Sequence, residues 1–240
     1  NINYTNKVAS GASCALGLFG SVYYPDGICN PVIKNLTLNN CTFKGGTNDG
    51  NRVGALAGFA ARTDISGITI TNCTVEGSVN PATSTKTFIG GLVALIEGYS
   101  KVSGCSISGS TINYNPTSAN NCHMGGLVGR SHTCEISDCI VDNCTLSSNY
   151  SETVGGIVGF VYSTTINNNR VKGNTTLSGN TTESFCRMGA IYGGSESDMS
   201  TSTFTNNHYD YGVTLSYTHS GGTATANGYT KRGYTKIQLD

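Results

Sequence analysis

Apolar residues recur along this chain in two alternating textures. The first is a short apolar run pinched between glycines: CALGLFGS from Cys14, RVGALAGF from Arg52, FIGGLVAL from Phe88, HMGGLVGR from His123, TVGGIVGF from Thr153 and RMGAIYGG from Arg187. One such run is a weak strand or turn signal, because glycine weakens strands and short apolar runs do not discriminate helix from strand. Six related runs carry more. Aligning their apolar pairs places Leu18, Leu56, Leu92, Leu127, Ile157 and Ile191 in one column, with successive separations of 38, 36, 35, 30 and 34 residues. Periods of that size with unequal insertions predict a solenoid, in which each unit buries its apolar face against the next.

The second texture follows each run at a near-constant distance: IKNLTLNNCTF from Ile33, ISGITITNCTV from Ile65, VSGCSISGSTI from Val102, ISDCIVDNCTL from Ile136 and INNNRVKGNTT from Ile166. Within it Leu36/Leu38, Ile68/Ile70, Cys105/Ile107 and Cys139/Val141 alternate with mostly polar neighbours, the period-two pattern of a half-buried strand. One column holds only Asn and Gly: Asn40, Asn72, Gly109, Asn143 and Gly173. These are the residues that most readily adopt the left-handed backbone conformation, so every unit is expected to bend at that point. Next come an inward column, Cys41, Cys73, Ser110, Cys144 and Asn174, and an outward one, Thr42, Thr74, Thr111, Thr145 and Thr175.

One unit therefore reads as a glycine-flanked strand, a second strand, an Asn/Gly corner and a short third strand. The predicted fold is all-β: a single-stranded parallel β-solenoid, a right-handed β-helix of about six rungs with three strands per rung. At about 4.8 Å per rung it forms a rod of roughly 29 Å. Residues 1–205 form the repeats, and 206–240, where the pattern fades, form a capping segment of the same domain. In the glycine-flanked strand, period two places the Leu/Ile column inward. The other face then carries Phe19, Ala57, Val93, Val128, Val158 and Tyr192, an apolar stripe that needs a cover.

Composition agrees. The 240 residues include 32 Gly, 13 Tyr, 4 Pro and no Trp, a turn-rich make-up poor in strong helix formers. With 14 basic and 14 acidic side chains the formal charge is zero and no Lys/Arg cluster stands out, so nucleic acid and anionic membrane are not expected partners. No apolar run approaches the roughly 20 residues of a membrane span, and Asn1 begins no leader. The expectation is a soluble chain that is not membrane-spanning.

The Gly-Leu-hydrophobic-Gly signature, seen as GLFG at Gly17 to Gly20, GLVG at Gly126 to Gly129 and GIVG at Gly156 to Gly159, resembles the GLUG-motif repeat of bacterial surface and secreted proteins. Residues 54–58, 90–94 and 189–193 depart from it by conservative exchanges, and the similarity covers about residues 12–205. The resemblance implies a bacterial cell-surface or secreted location, an adhesin-like or stalk role, and a place in a larger surface protein. It transfers no catalytic residue, because the motif has none.

Cys41 with Cys73 and Cys105 with Cys139 share columns in adjacent rungs; parallel Cβ vectors there stay too far apart for a bridge, so buried thiols are expected. Cys14 with Cys29, or Cys122 with a loop partner, are the better bridge candidates. Cys134, Cys139, Cys144 and His132 suggest zinc by type, but regular spacing around a coil separates the sulfurs, and neither metal nor cofactor is expected. Glu135, Asp138 and Asp142 are the nearest approach to an acidic cluster, with Lys172 predicted beside Asp142 in the next rung. The chain is read as no enzyme.

Insertions recur between the third strand and the next glycine run: Lys44 to Arg52, Glu76 to Phe88, Asn113 to His123, Ser147 to Thr153 and Ser178 to Arg187. They should emerge on one side of the rod and build a binding surface. A further turn aligns Tyr23, Ala61, Glu97, His132 and Tyr162, and there His132 and Tyr162 offer a sugar-stacking platform. The candidate binding residues are Tyr99, His132, Tyr162, Tyr114 and Tyr150. The expected function is a non-catalytic adhesion or interaction module for a glycan or protein ligand; the alternatives are a carbohydrate-active β-helix enzyme, either polysaccharide lyase or glycoside hydrolase, and a passive stalk.

Overall fold

Three-residue strands with one inward side chain each are the building unit. In the third winding the strands are Thr87–Gly90, Val93–Glu97, Lys101–Ser103, Ser106–Ser108 and Thr111–Tyr114. The short ones read outside, inside, outside, and Val102 and Ile107 point inward. The computed structural model describes residues 2–5, 14–24, 30–46, 52–77, 86–116, 122–149, 151, 153–181, 187–195 and 201–219, which form 31 strands. Every pairing is parallel, each strand bonding to its counterpart one winding on, and the strands assemble into four six-stranded sheets and one of seven. The fold is a parallel β-solenoid. No described helix is long and apolar enough to cross a membrane.

Each winding thus has five strands, and two of the three expected strands each break once. The break in the second falls at Asn35, Gly67, Gly104, Asp138, Asn168 and Asn206, all with φ between 52° and 61°. The predicted Asn/Gly corner is present, with φ of 52° at Asn40, 51° at Asn72, 56° at Gly109, 50° at Asn143 and 64° at Gly173. Neighbouring windings use the two residue types together. A Cβ at Gly109 would lie 2.5 Å from Asn72 Oδ1, and one at Gly173 2.5 Å from Asn143 Oδ1, so the amide of one corner occupies the space that glycine leaves in the next.

The residue after each corner turns inward and closes a hydrogen-bond ladder. Its side chain accepts the backbone N–H of the preceding winding and donates to a carbonyl two or three residues before itself. Ser110 Oγ accepts from Cys73 N at 3.0 Å and donates to Ser108 O at 2.9 Å; Thr175 Oγ1 accepts from Cys144 N at 3.2 Å; Ser100 Oγ accepts from Thr63 N at 3.1 Å. Thiols play the same part. Cys73 Sγ accepts from Cys41 N at 3.4 Å and donates to Thr71 O at 3.3 Å. Unpaired backbone N–H groups are costly when buried, which explains why Cys, Ser, Thr and Asn interchange here while aliphatics fill the strand centres. The fifth winding slips by one residue against the sequence alignment. Asn174 is an insertion, Thr175 takes the inward place expected of Asn174, and Thr176 rather than Thr175 pairs with Thr145.

Cys41, Cys73, Cys105, Cys134, Cys139 and Cys144 are buried free thiols, as the columns predict. Cys29 lies outside the described residues. Burial pushes Cys134 up to about 12 and Cys144 up to about 11, while the neighbouring Cys105 sulfur and burial raise Cys139. At pH 8 a thiol of pKa about 12 is ionised to about one part in ten thousand, and only the thiolate alkylates. Iodoacetamide followed by peptide mass mapping should leave Cys134, Cys139 and Cys144 unmodified in the native chain and label all three in concentrated guanidinium chloride. Native labelling of Cys134 or Cys144 at the denatured rate would contradict the packing.

The glycine-flanked run is not one strand. It bends after the first glycine, as between Gly90 and Val93, so the alternation restarts. Leu56, Leu92, Leu127 and Ile157 at the bend and Ala57, Val93, Val128 and Val158 after it are all fully buried in one core. The apolar stripe is therefore interior through its four middle members, while Phe19 in the first winding is 38% exposed and Tyr192 in the last is half-buried; the single-strand parity is corrected. On the outer side the two arms close on each other. A Cβ at Gly125 would lie 1.9 Å from Val128 O, and one at Gly129 2.7 Å from Ile89 N. Glycine is required because backbone meets backbone there.

The coil continues past the last expected repeat: His208–Tyr209 and Thr214–His219 pair with Arg170–Lys172 and Thr176–Thr181. Residues 220–240 lie outside the described residues.

Candidate functional site

The two arms of the glycine bend form a re-entrant corner that their outward side chains fill: Phe88, Leu95, His123, Thr153 and Phe160 are buried in it, and Arg52, Phe59, Arg130 and Arg187 are half-exposed. On the first arm the outward column is Arg52, Phe88, His123, Thr153 and Arg187. On the second it is Phe59, Leu95, Arg130 and Phe160, in register. The rings stack across windings. The centroid of His123 lies 4.4 Å from that of Phe160 and 5.7 Å from that of Phe88, both near parallel. The Arg130 guanidinium lies 5.6 Å from the Phe88 ring and 5.8 Å from Phe160, and Arg52 lies 5.1 Å from Phe59. Phe88, Leu95 and Ala94 form a buried cluster separate from the main core, with Phe59 against it.

His123 is fully buried, and its Nδ1 is 2.9 Å from Thr153 Oγ1. Burial, then the positive charges of Lys86, Arg130 and Arg187, hold its pKa well below the ordinary histidine value. Well above pH 6.5 the ring is neutral in both states and contributes no pH dependence. Below that, the unfolded chain takes up a proton that the folded chain does not, so stability falls with falling pH by up to about 1.4 kcal/mol per pH unit. Chemical denaturation of wild type and His123→Phe between pH 7 and pH 5 should show this slope in the wild type and its reduction in the variant. Equal slopes would contradict it.

Two residues further along the second arm, on the same outward face, runs the column Ala61, Glu97, His132 and Tyr162. These four share a column in the sequence repeat as well. The rings of His132 and Tyr162 meet edge to face at 4.6 Å. Past this column the chain turns through a second set of left-handed corners at Arg62, Tyr99, Thr133 and Ser163, with φ of 52°, 68°, 57° and 46°. None is glycine, so each costs about 1 kcal/mol or more of backbone strain. Tyr99 is 75% exposed, and its N–H donates to Thr133 O at 2.6 Å. Three of the candidate residues, Tyr99, His132 and Tyr162, thus sit along one edge of the second arm.

Tyr114 is a correction: it is fully buried, in phase with Ile112 on the strand Thr111–Tyr114, and belongs to the core rather than to a surface. Tyr150 lies outside the described residues. The insertions all fall between the fifth sheet of one winding and the first sheet of the next, on one side as expected, and their central residues are likewise outside the described set.

The three acids weighed for catalysis are engaged separately. Glu135 is 3.8 Å from Lys101 Nζ, Asp142 is 3.2 Å from Lys172 Nζ, and Asp138 Oδ1 accepts from Asn168 Nδ2 at 2.5 Å. Lys172 beside Asp142 is the pairing that the alignment predicts. Cys134, Cys139 and Cys144, weighed with His132 for zinc, occupy three successive corners of one winding, where each sulfur donates to a carbonyl two residues before it. The Phe/His/Arg surface escaped the sequence reading, although its signal was in the runs: RVGALAGF, HMGGLVGR and TVGGIVGF each begin or end on Arg, His or Phe, and a bend between the glycines brings those ends together.

No family model matches the chain, and no curated protein matches it. Among solved structures it is similar to one from Bacteroides ovatus described as a "putative immunoglobulin A1 protease", at 17% identity and a TM-score of 0.37, over 81% of this chain and 62% of that one. The chain therefore spans less than two thirds of the length of that protein.

Proposed function

We propose that this chain is a non-catalytic binding module of a bacterial cell-surface or secreted protein with GLUG-type repeats, and that it engages a glycan through the outward edge of the second arm. The observation that carries this reading is the His132–Tyr162 pair, two rings in edge contact on consecutive windings, next to the exposed Tyr99. Sugar rings dock on such faces through their C–H surfaces while hydroxyls take the flanking polar groups. The strained non-glycine corners beside the pair support it, since backbone strain collects where a scaffold holds a binding geometry. A rigid stack of parallel strands beneath supplies preorganisation.

The purified chain would be screened on a glycan array and on polysaccharides, with product detection. Retention without cleavage, weakened about tenfold by His132→Ala or Tyr162→Ala, is the expected result, in line with the loss of one stacking contact. New reducing or unsaturated ends would replace this reading by a carbohydrate-active enzyme, and silence in both assays by a passive stalk.

A further inference from the structure

The re-entrant surface next to that edge gathers cations that no carboxylate of the described residues neutralises. On the other sheets four cations are paired, Lys44 with Glu76 at 3.0 Å, Lys101 with Glu135 at 3.8 Å, Arg170 with Asp210 at 2.7 Å and Lys172 with Asp142 at 3.2 Å, and Lys34 alone has no such partner among the described residues. Arg52, Lys86, Arg130 and Arg187 have no carboxylate of the described residues within 4 Å. Arg130 Nε is buried and has no hydrogen-bond partner, an expensive state for a guanidinium. Three of these cations lie on alternate windings. Counting by register, Arg52 is in the second, Arg130 in the fourth and Arg187 in the sixth, so they are spaced by two rungs each, about 9.6 Å along the axis and about 19 Å in all, with Arg52 and Arg187 on the first arm and Arg130 across the corner on the second.

We infer that this surface binds a linear acidic glycan carrying one carboxylate per disaccharide, its chain lying along the solenoid axis with successive carboxylates at Arg52, Arg130 and Arg187. The two-rung spacing is close to the length of an extended disaccharide, so the charges of polymer and protein run in register. Guanidinium groups bind carboxylates through two parallel N–H donors, which suits them over lysine for this task. The rings of Phe59, Phe88 and Phe160 hold two of the three guanidiniums in place from beneath, so that little side-chain freedom is lost on binding. Arg130 and Phe160 stand two residues before His132 and Tyr162 on the same strands, and the cation line and the ring pair therefore form one continuous surface. The inference rests on the glycan-binding reading and names the class of its ligand.

The test uses hyaluronan fragments, linear with one carboxylate per disaccharide, their carboxyl-reduced neutral form, and a single-stranded oligothymidylate of equal charge, with the full chain titrated by calorimetry. Hyaluronan is expected to bind at least tenfold more tightly than the other two, and to lose affinity with added salt. Arg52→Gln/Arg187→Gln, changes at half-exposed rim positions, should weaken it by about tenfold or more, on the order of one lost charge-assisted contact. Arg130→Lys, which keeps the charge and loses the fork, should weaken it less than Arg130→Met. Equal binding of the neutral form, equal binding of the oligonucleotide, or no effect of the Arg52/Arg187 pair overturns the inference. Neutral glycans still sensitive to Tyr162→Ala would then leave the glycan-binding reading standing, whereas failure to bind any glycan would remove both.

Discussion

Replacing Gly159 with alanine is expected to cost about 3 kcal/mol or more and to lower the melting temperature by about 6–12 °C. The added methyl would lie 2.5 Å from Gly129 O, 2.6 Å from Met124 O and 2.7 Å from Met124 C. All three are backbone atoms held in sheet ladders, so no side-chain rotation relieves the clash and the two arms of the bend must separate. Gly129, with a Cβ 2.5 Å from Ala94 O and 2.7 Å from Ile89 N, should behave alike. Gly104 is the control. It has φ +58° but nothing within 4 Å of a Cβ, so Gly104→Ala should cost only the left-handed strain, about 1–2 kcal/mol. Thermal or urea unfolding of the variants decides it; a Gly159→Ala chain as stable as Gly104→Ala would mean that the arms do not touch.

Removing the Asn169 side chain should be comparably damaging. Its Oδ1 accepts from Cys139 N at 3.0 Å, and its Nδ2 donates to Ile136 O at 2.9 Å and to Asn207 Oδ1 at 2.9 Å, all within the core. Asn169→Ala strands the Cys139 N–H and the Ile136 carbonyl without their partner, at a cost of about 3 kcal/mol. Asn169→Cys provides an internal check. Cys105 and Cys139 fill the same column in the two preceding windings, and Cys139 Sγ donates to Ser137 O at 3.1 Å, so a thiol at 169 should recover part of the loss. Asn169→Ala and Asn169→Cys unfolding at the same urea concentration as wild type would mean that the corner ladder contributes nothing.

The winding, its period and its Asn/Gly corners were legible because each leaves a column of one chemical type. Left-handed backbone selects Asn and Gly, and strand centres select Ile, Val and Leu. What the columns could not reveal is where alternation restarts. A run such as GGLVG has the same spacing whether it is straight or bent, and only the backbone contact at Gly125 and Gly129 distinguishes the two. The Phe88–His123–Phe160 stack was hidden for that reason. Tyr114 was misplaced on different grounds: its even spacing from Ile112 marks it as inward, but a tyrosine at the head of an insertion resembles a loop residue. The slip at Asn174 followed from counting residues through a corner that had gained one. His132 and Tyr162 were brought together by register alone, which is why their contact could be anticipated.

All of these expectations depend on consecutive windings lying in parallel register, with Thr74, Thr111 and Thr145 as neighbours across the fifth sheet. The most direct measurement is a nuclear Overhauser spectrum of the isotopically labelled chain. Parallel stacking predicts inter-strand amide and α-proton contacts from Ile112 to the Val75 and Leu146 segments at once. Close α-proton to α-proton contacts between those strands, the mark of antiparallel pairing, or the absence of any contact between them, would contradict the solenoid and every site placed upon it.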